Sequence, residues 1–549
     1  MSNLLALVAA MAISMVLIPL MSRVASRFGL VDIPCERKVH AAPIPRVGGI
    51  GIVIGSLVPI MLLLAPDKLS QSYVFGASVL FIFGLWDDAF EIGHYPKFIG
   101  QIVAALIVIL YGGLYIKYFP FLPRGEISPE FGIPFTLIAI VGMINAMNHS
   151  DGLDGLAGGE SLFSLGAIAL LAFFSVDGMQ TLTIAVTVIG GILGFLRYNT
   201  HPARVFMGDS GSQFIGYTLA FLAVLLTQRV DLSLSPAVVL LLLGLPIADI
   251  LVVLFKRARH GKNLFRATRN HIHHRLLDLG FVHRESVIII YSLQMIFVTT
   301  GVLMRHEDNA ILFAVYLAYC MLIFAAINVA ERTAWKLQRV DRRDQTKVMA
   351  HEVLRNILVV IPRRFLAISI PAFMILASLL VVKVPDDFAK MSLLVAVLIV
   401  VDLFASRGQH SIMRRALIYV IAAQVVYLWV NYRPTWVPYA EFFEAMFFTL
   451  MAIAFAVAVK FSPRRRKIEF DLTATDYLVA FSVLAVLITS RGGLWGGNGV
   501  VFVVQMVVIF YACELLITEK RGGWSWLSAA SMAAGLVLGV RGMFLGWWF

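Results

Sequence analysis

The sequence predicts an all-α polytopic membrane protein, with about 11 transmembrane helices in its first 330 residues and about 7 more in a C-terminal extension. Three observations predict it. Of the 549 residues, 60% are hydrophobic and only 14% are charged, a balance foreign to soluble domains. Apolar runs of about 20 residues, long enough to cross a bilayer, recur from end to end. The net charge of +12 is gathered in alternate loops, the pattern by which Lys and Arg set membrane topology.

The first runs centre near residues 12, 56, 79, 107, 140, 169, 189, 220, 246, 295 and 320. The run from Leu4 to Leu20 lacks a basic leader and a small-residue cleavage signal, so it is expected to be a retained span and not a signal peptide. The charged segment 331–364 then separates residues 1–330 from a C-terminal membrane domain, 365–549. That segment reads equally as a cytoplasmic basic linker and as an interfacial helix with Trp335 and Leu337 as apolar contacts. Basic residues in 23–46, 256–284, 332–364 and 464–467 fall on one side if the spans alternate. The positive-inside rule makes that side cytoplasmic and the N-terminus exterior. No basic stripe with interleaved aromatics lies outside these loops, so nucleic acid is not an expected partner. Cys35, Cys320 and Cys513 are too widely separated for a zinc or disulfide framework.

The expected cytoplasmic loops each carry a polar cluster. The first holds Arg37, Lys38 and Arg46 around a Pro-stiffened turn, suited to a phosphate or lipid headgroup and equally to simple anchoring. The second holds Asp87 and Asp88 at the mouth of a span, with Lys97 beyond. Adjacent carboxylates are costly there. They can ligate Mg²⁺ or take a proton, and a neighbouring lysine can neutralise a pyrophosphate. The third repeats polar residues at every third position, Asn145, Asn148, Asp151 and Asp154, which places them near one helix face. Glycines among them permit close approach of a ligand or helix.

The fourth contains Asn199 and then Phe206, Gly208 and Asp209 in a Gly/Ser turn. Asp209 suits a Mg²⁺ ligand, since Mg²⁺ commonly takes one or two carboxylates plus substrate phosphates. Phe206 has the shape to stack on a base and equally to pack. The fifth holds His271, His273 and His274 between Arg269 and Arg275. No fourth ligand completes a zinc set nearby, and the flanking arginines favour phosphate. Asp249 lies inside the ninth span. It is a site residue by default or an ion-pair partner for a cation such as Lys256.

In this order and on one face, the five loops resemble the polyprenyl-phosphate N-acetylhexosamine-1-phosphate transferases (glycosyltransferase family 4). They are most similar to the bacterial undecaprenyl-phosphate N-acetylglucosamine-1-phosphate transferases, and the likeness covers roughly residues 1–330. It implies roles. Asp209 matches the Mg²⁺ ligand, with Asn148 helping to hold the metal. Asp87 and Asp88 match the paired aspartates, the first deprotonating or orienting the lipid phosphate. Lys97 matches a lysine on the sugar-nucleotide pyrophosphate. Asp154 and Asn199 match residues that read uracil, and Phe206 the aromatic that stacks on it. Asp151 matches a further functional acid, and His271, His273 and His274 match the histidine motif. That motif follows the N-acetylglucosamine branch and not the three consecutive histidines of the muramoyl-pentapeptide branch. Glu91 stands where similar proteins often have Asp.

The resemblance implies transfer of N-acetylhexosamine-1-phosphate from a UDP-sugar to undecaprenyl phosphate or another polyprenyl phosphate, releasing UMP. Mg²⁺ is the implied cofactor, with Mn²⁺ as an alternative. The setting it implies is the cytoplasmic face of a bacterial inner membrane. N-acetylglucosamine is the preferred hexosamine, and dimerisation stays open. Three rival readings are a muramoyl-pentapeptide-type phosphotransferase, an intramembrane prenyltransferase and a flippase for anionic lipid-linked substrates. A prenyltransferase leaves the histidine motif without a place, and a flippase calls for an inverted repeat and mid-membrane charges. Residues 365–549 carry no role in this reading. Asp402, Arg407, Arg414 and Arg415 are their most notable polar residues, and the arginines are expected to be cytoplasmic anchors.

Overall fold

The computed structural model describes residues 2–32, 43–120, 126–259, 261, 271–333, 360–405, 412–434, 440–460, 498–518 and 523–545. The chain divides into two compact units, one of Met1–Arg339 with Leu472–Phe481 and one of Val340–Asp471 with Ser482–Phe549. Both are helical. Among the described residues, 12 helices are long and apolar enough to cross a membrane, accompanied by shorter apolar helices at Gly48–Leu63, Phe443–Phe455 and Val504–Ile517. The expected total of about 18 spans also counted runs in 461–497, which lie outside the described residues, as does most of the basic linker expected over 331–364.

In the first unit every expected centre falls on a helix, the one near residue 107 on the π-helical turn Ile107–Tyr111 that continues the fourth. These are α1 (Ser2–Val24), α2 (Gly48–Leu63), α3 (Lys68–Phe90), α4 (His94–Leu106), α5 (Pro129–Ser150), α6 (Leu156–Phe174), α7 (Met179–Asn199) and α8 (Gly208–Leu225). The ninth run is broken into α9 (Val238–Leu242) and α10 (Gly244–Arg259). The break falls at Leu243, since Pro246 in the first turn of α10 has no N–H to carry the ladder back to Leu242. Gln294 Oε1 accepts the Leu245 N–H at 2.9 Å, so the interruption leaves that donor satisfied inside the bundle. A short α11 (Ile272–Asp278) precedes α12 (His283–Leu303) and α13 (Asn309–Arg332). A two-stranded antiparallel ribbon, unforeseen in the sequence, pairs β1 (Val31–Asp32) with β2 (Ile44–Pro45), Val31 opposite Pro45.

Helix α8 is the axis of this unit: the whole of its membrane-crossing window is buried. Tyr73 of α3 stacks on Tyr217 and packs on Phe221 at 5.6 and 4.8 Å between ring centroids, and its hydroxyl meets Thr218 Oγ1 at 2.9 Å. Small residues let the N-terminus of α8 sit between α2 and α3. A Cβ on Gly49 would lie 2.4 Å from Gly211 N, and one on Gly84 2.5 Å from Ser210 Cα. Close backbone approach of this kind is how helices associate where no hydrophobic driving force separates them from lipid. It also carries Asp209, the second residue of α8, to the end of α3 where Asp87 and Asp88 stand.

The second unit comprises α14 (Ile361–Leu380), α15 (Asp386–Ala405), α16 (Ile412–Tyr432), α17 (Ala440–Lys460), α18 (Asn498–Thr518) and α19 (Gly523–Val540) around a separate apolar core. Arg414 pairs with Asp402 at 2.9 Å, and both are 4% exposed. Arg415 pairs with Glu514, and Arg433 with Glu444 at 3.0 Å. Arg414 and Arg415 are thus each held by a carboxylate of another helix. A lone charge inside a bundle is costly, and here each is matched by a carboxylate from another helix or turn. Arg407 lies outside the described residues.

Candidate active site

The polar ends of α3, α4, α5 and α8 meet around two carboxylates and one ammonium. Lys97 Nζ lies 2.6 Å from Asp87 Oδ2 and 2.7 Å from Asp209 Oδ2. Three formal charges thus sit within hydrogen-bond reach, two of them negative. The second Asp87 oxygen, Oδ1, is buried without a hydrogen-bond partner. A buried carboxylate oxygen left unpaired is costly, and two carboxylates with one free buried oxygen form an all-oxygen donor set that fits a hard divalent cation.

Asp88 does different work from its neighbour. Its Oδ1 accepts from Asp209 N at 2.7 Å, and its Oδ2 accepts from Ser210 N at 3.1 Å and Ser210 Oγ at 2.7 Å. These are orphan donors of the first turn of α8, which a carboxylate satisfies and whose dipole it complements. Gly208 is at φ 72°, and a Cβ there would fall 2.6 Å from either Asp88 oxygen. The oxygens of Asp88 thus hold Asp209 in place, an anchoring role beside the catalytic one expected for it.

A chain of amides supports Asp209 from behind. Gln213 Nε2 donates to Asp209 Oδ2 at 3.2 Å, Gln101 Nε2 to Gln213 Oε1 at 3.3 Å, and Asn145 Nδ2 to Gln101 Oε1 at 2.7 Å. Asn148 Nδ2 donates to Ser212 Oγ at 2.9 Å, in the same turn of α8 as Asp209. Asn148 is therefore beside the expected metal ligand, as an orienting group. Gln101 and Gln213 were missed in the sequence, although two glutamines within apolar spans were a visible signal.

The four polar residues at every third position do not share one helix face. Asn145 and Asn148 lie on α5, which ends at Ser150, while Asp151 and Asp154 lie in the turn before α6. Gly155, at φ 80°, adopts a left-handed conformation that favours glycine and cannot continue a helix. Asp151 lies between spans and beside the other acids. Desolvation, then the charges of Asp209, Asp88 and Asp154, push its carboxyl up to about 7. In the metal-free protein Asp151 should be neutral below about pH 7 and ionise above it. A group so shifted favours the fold at low pH, and that advantage is lost as pH rises from about 4 through about 7. Asp151→Asn should remove that part of the pH dependence of stability; melting curves of both proteins in chelator between about pH 4 and pH 8 check this.

The loop from Asp154 is tied to the α7–α8 loop. Asp154 Oδ2 accepts from Ala203 N at 3.1 Å and faces His201 Nδ1 at 2.7 Å. Asn199 Oδ1 accepts from Gly155 N at 2.8 Å, and its Nδ2 donates to Val205 O at 2.9 Å. The expectation that Asn199 reads a base is corrected: it is 3% exposed, and its amide pins the two loops together. Phe206 is half-buried at the rim, its backbone paired with Pro45 O and Gly48 N at 2.8 and 2.9 Å. Arg46 joins Asp32 and, at 3.5 Å, Glu91, so it braces the β-ribbon against α3. Arg37, Lys38 and Arg269 lie outside the described residues.

Asp249 organises the histidine motif. Its Oδ2 faces His271 Nδ1 at 2.8 Å and its Oδ1 accepts from Ile272 N at 2.9 Å, which caps α11. His149 stacks on His271 with 5.0 Å between centroids. Arg275 locks α11 to the end of α13 through Glu331 at 2.7 Å and Asn328 at 2.6 Å. His273 is 2% exposed. Burial, then its neighbours His274, His271 and His149, hold its imidazole down at about 3. His273 therefore stays neutral and packs over Gly152. A Cβ on Gly152 would lie 2.2 Å from His273 Nε2. Gly152→Ala should push the motif away from the acids and lower turnover by roughly tenfold or more, since displacements of about 1 Å near the chemistry cost up to about 100-fold; steady-state kinetics of that variant measure it. Other groups missed in the sequence are His149, His201, His283 and Glu160. Glu160 is buried and accepts from Ser150 Oγ at 2.7 Å.

Comparison with known proteins agrees with this arrangement. Residues 70–227, from α3 to the end of α8, match the model of glycosyl transferase family 4. A probable undecaprenyl-phosphate N-acetylglucosaminyl 1-phosphate transferase of Bacillus subtilis is 33% identical over 322 residues, covering 58% of this chain and 88% of that protein. The chain belongs to glycosyl transferase family 4. The undecaprenyl-phosphate alpha-N-acetylglucosaminyl 1-phosphate transferase of Escherichia coli K12 is 31% identical over 328 residues, covering 58% of this chain and 89% of that protein. A decaprenyl-phosphate N-acetylglucosaminephosphotransferase of Mycobacterium tuberculosis H37Rv is 34% identical over 300 residues, 49% of this chain and 74% of that protein. Family membership makes the chain a membrane-embedded phosphotransferase. The family model spans the helices that carry Asp87, Asp88, Lys97, Asn199 and Asp209 and the turn that carries Asp151 and Asp154.

Proposed function

We propose that the N-terminal unit transfers N-acetylglucosamine-1-phosphate from UDP-N-acetylglucosamine to undecaprenyl phosphate or another polyprenyl phosphate. The reaction releases UMP and starts a cell-surface glycan at the cytoplasmic face of a bacterial inner membrane. The observation that supports it best is the Lys97 bridge between Asp87 and Asp209, at 2.6 and 2.7 Å, beside an unpaired buried carboxylate oxygen. One lysine and two acids are what a diphosphate and a divalent cation together require. The relatives' named activities agree with this choice of donor sugar and lipid.

In this reading an oxygen of the lipid phosphate bonds to the β-phosphorus of the donor. The bond from that phosphorus to the bridging oxygen breaks, and UMP leaves with that oxygen. One anhydride replaces another, so the work is positioning and charge neutralisation. Asp209 and Asp87 would hold Mg²⁺, or Mn²⁺, which when bound supplies positive charge against the phosphates. Lys97, beside both carboxylates, would offset the charge of the pyrophosphate. Asp87 accepts a proton from the lipid phosphate or orients it. The site stands at helix ends because one substrate is a membrane lipid and the other is water-soluble. The test is UMP release by purified protein with Mg²⁺, undecaprenyl phosphate and a panel of UDP-N-acetylhexosamines. Release from UDP-N-acetylglucosamine alone, dependent on lipid and Mg²⁺, is the expected result. No UMP from any donor, with folded protein, would refute the reading.

A further inference from the structure

Asp154, His201 and His283 converge from three separate elements: the turn before α6, the loop after α7 and the first residue of α12. One ligand atom from each lies within 4.8 Å of the others. His201 Nδ1 is 2.7 Å from Asp154 Oδ2, and His283 Nε2 is 3.2 Å from the Asp154 backbone oxygen. The two imidazoles stack at 4.1 Å between centroids with their planes 23° apart. Asp154 and His283 are half-buried, and His201 reaches solvent. Neither histidine belongs to the motif on α11, and the proposed transfer uses neither.

We propose that Asp154, His201 and His283 form a second cation site, for a borderline transition metal of the Zn²⁺ class. Two nitrogens and one carboxylate oxygen suit such an ion, whereas the all-oxygen set of Asp87 and Asp209 suits a hard one. Three protein ligands leave a fourth position for water or a substrate oxygen, as in zinc sites that keep an open position. Bonds of about 2.0–2.2 Å to the ion put tetrahedral ligand atoms roughly 3.4 Å apart. The present spacing brackets that value, so entry of the ion needs only the Asp154–His201 contact to open and His283 to turn from the backbone oxygen to the carboxylate. Asp154 is also the acid that the resemblance sets beside the uracil. On the reading given under Proposed function, an ion held there competes with the sugar nucleotide.

The binding test does not depend on that reading. Untagged full-length protein, stripped with a chelator, is titrated with Co²⁺, whose four-coordinate form shows intense visible d–d absorption. The expected result is one such Co²⁺ per chain, displaced by Zn²⁺. It should be retained in Asp209→Asn and lost, with at least a tenfold weaker affinity, in His201→Gln and His283→Gln. His201→Gln keeps a polar side chain at a solvent-facing position, so its melting temperature serves as the check on folding. Absence of four-coordinate Co²⁺ in the wild-type protein, or a signal unchanged in both histidine variants, would overturn the proposal. Loss of the signal in Asp209→Asn alone would place the ion at the other centre and overturn it equally. Failure of UMP release in a protein that binds Co²⁺ would count against the transferase reading only.

Discussion

Asp209→Asn should lower the rate of UMP release by on the order of a thousandfold while leaving the protein folded. The substitution keeps the shape of the side chain and removes the charge that faces Lys97 at 2.7 Å. Loss of one preorganised electrostatic group at a charge-developing site costs roughly 100- to 1000-fold, and loss of a metal-holding carboxylate adds the metal's own contribution. The fold should tolerate it. The first turn of α8 is capped through the backbone N–H of Asp209, by Asp88 at 2.7 Å, and not through the Asp209 carboxylate. Melting in detergent should therefore stay within a few degrees of wild type, and the Mg²⁺ dependence of any residual activity should move to higher concentration. A variant that keeps more than a tenth of wild-type turnover at the same Mg²⁺ would sink the assignment of Asp209.

What could be foreseen from the chain follows from what kind of physics fixes each feature. The helices of the first unit were visible because bilayer thickness imposes a run length that composition reports directly. Asp87, Asp209 and Lys97 were visible because charges at span ends are costly and so conspicuous. The division of labour between Asp87 and Asp88 was not visible. It depends on which carboxylate meets the backbone of α8, a contact 121 residues away in sequence. The helical reading of Asn145 through Asp154 failed because the spacing matched a helix while the helix ends at Ser150, where Asp151 takes a non-helical backbone of φ −77° and ψ 60°. His201 and His283 were passed over because each is a lone histidine in its own loop. Only the packing of α12 against the Asp154 turn joins them. The same holds for Asp402 and Arg414, whose charges read as surface features until the fold pairs them inside the second unit.

Asp88→Ala should separate anchoring from chemistry. The change removes the acceptor of two backbone N–H groups and the Ser210 hydroxyl. A lost helix cap costs about 0.5–2 kcal/mol, and hydrogen bonds to a charged acceptor contribute about 1.5–3 kcal/mol each. Because the freed donors are partly re-satisfied by water at the membrane face, a net loss of about 2–4 kcal/mol is expected, seen as a lower melting temperature. Turnover should fall roughly 100-fold or more, since Asp209 rides on the turn that Asp88 holds. Asp88→Asn discriminates further. It retains one acceptor oxygen, so stability and turnover should both fall to an intermediate level, with the shape of the pH–rate profile unchanged. A proton-transferring Asp88 would behave differently: Asp88→Asn would melt like wild type, lose nearly all turnover and lose a limb of that profile. Melting curves and pH–rate profiles of the two variants decide between them, and the triad of bonds at 2.7, 3.1 and 2.7 Å favours the anchor.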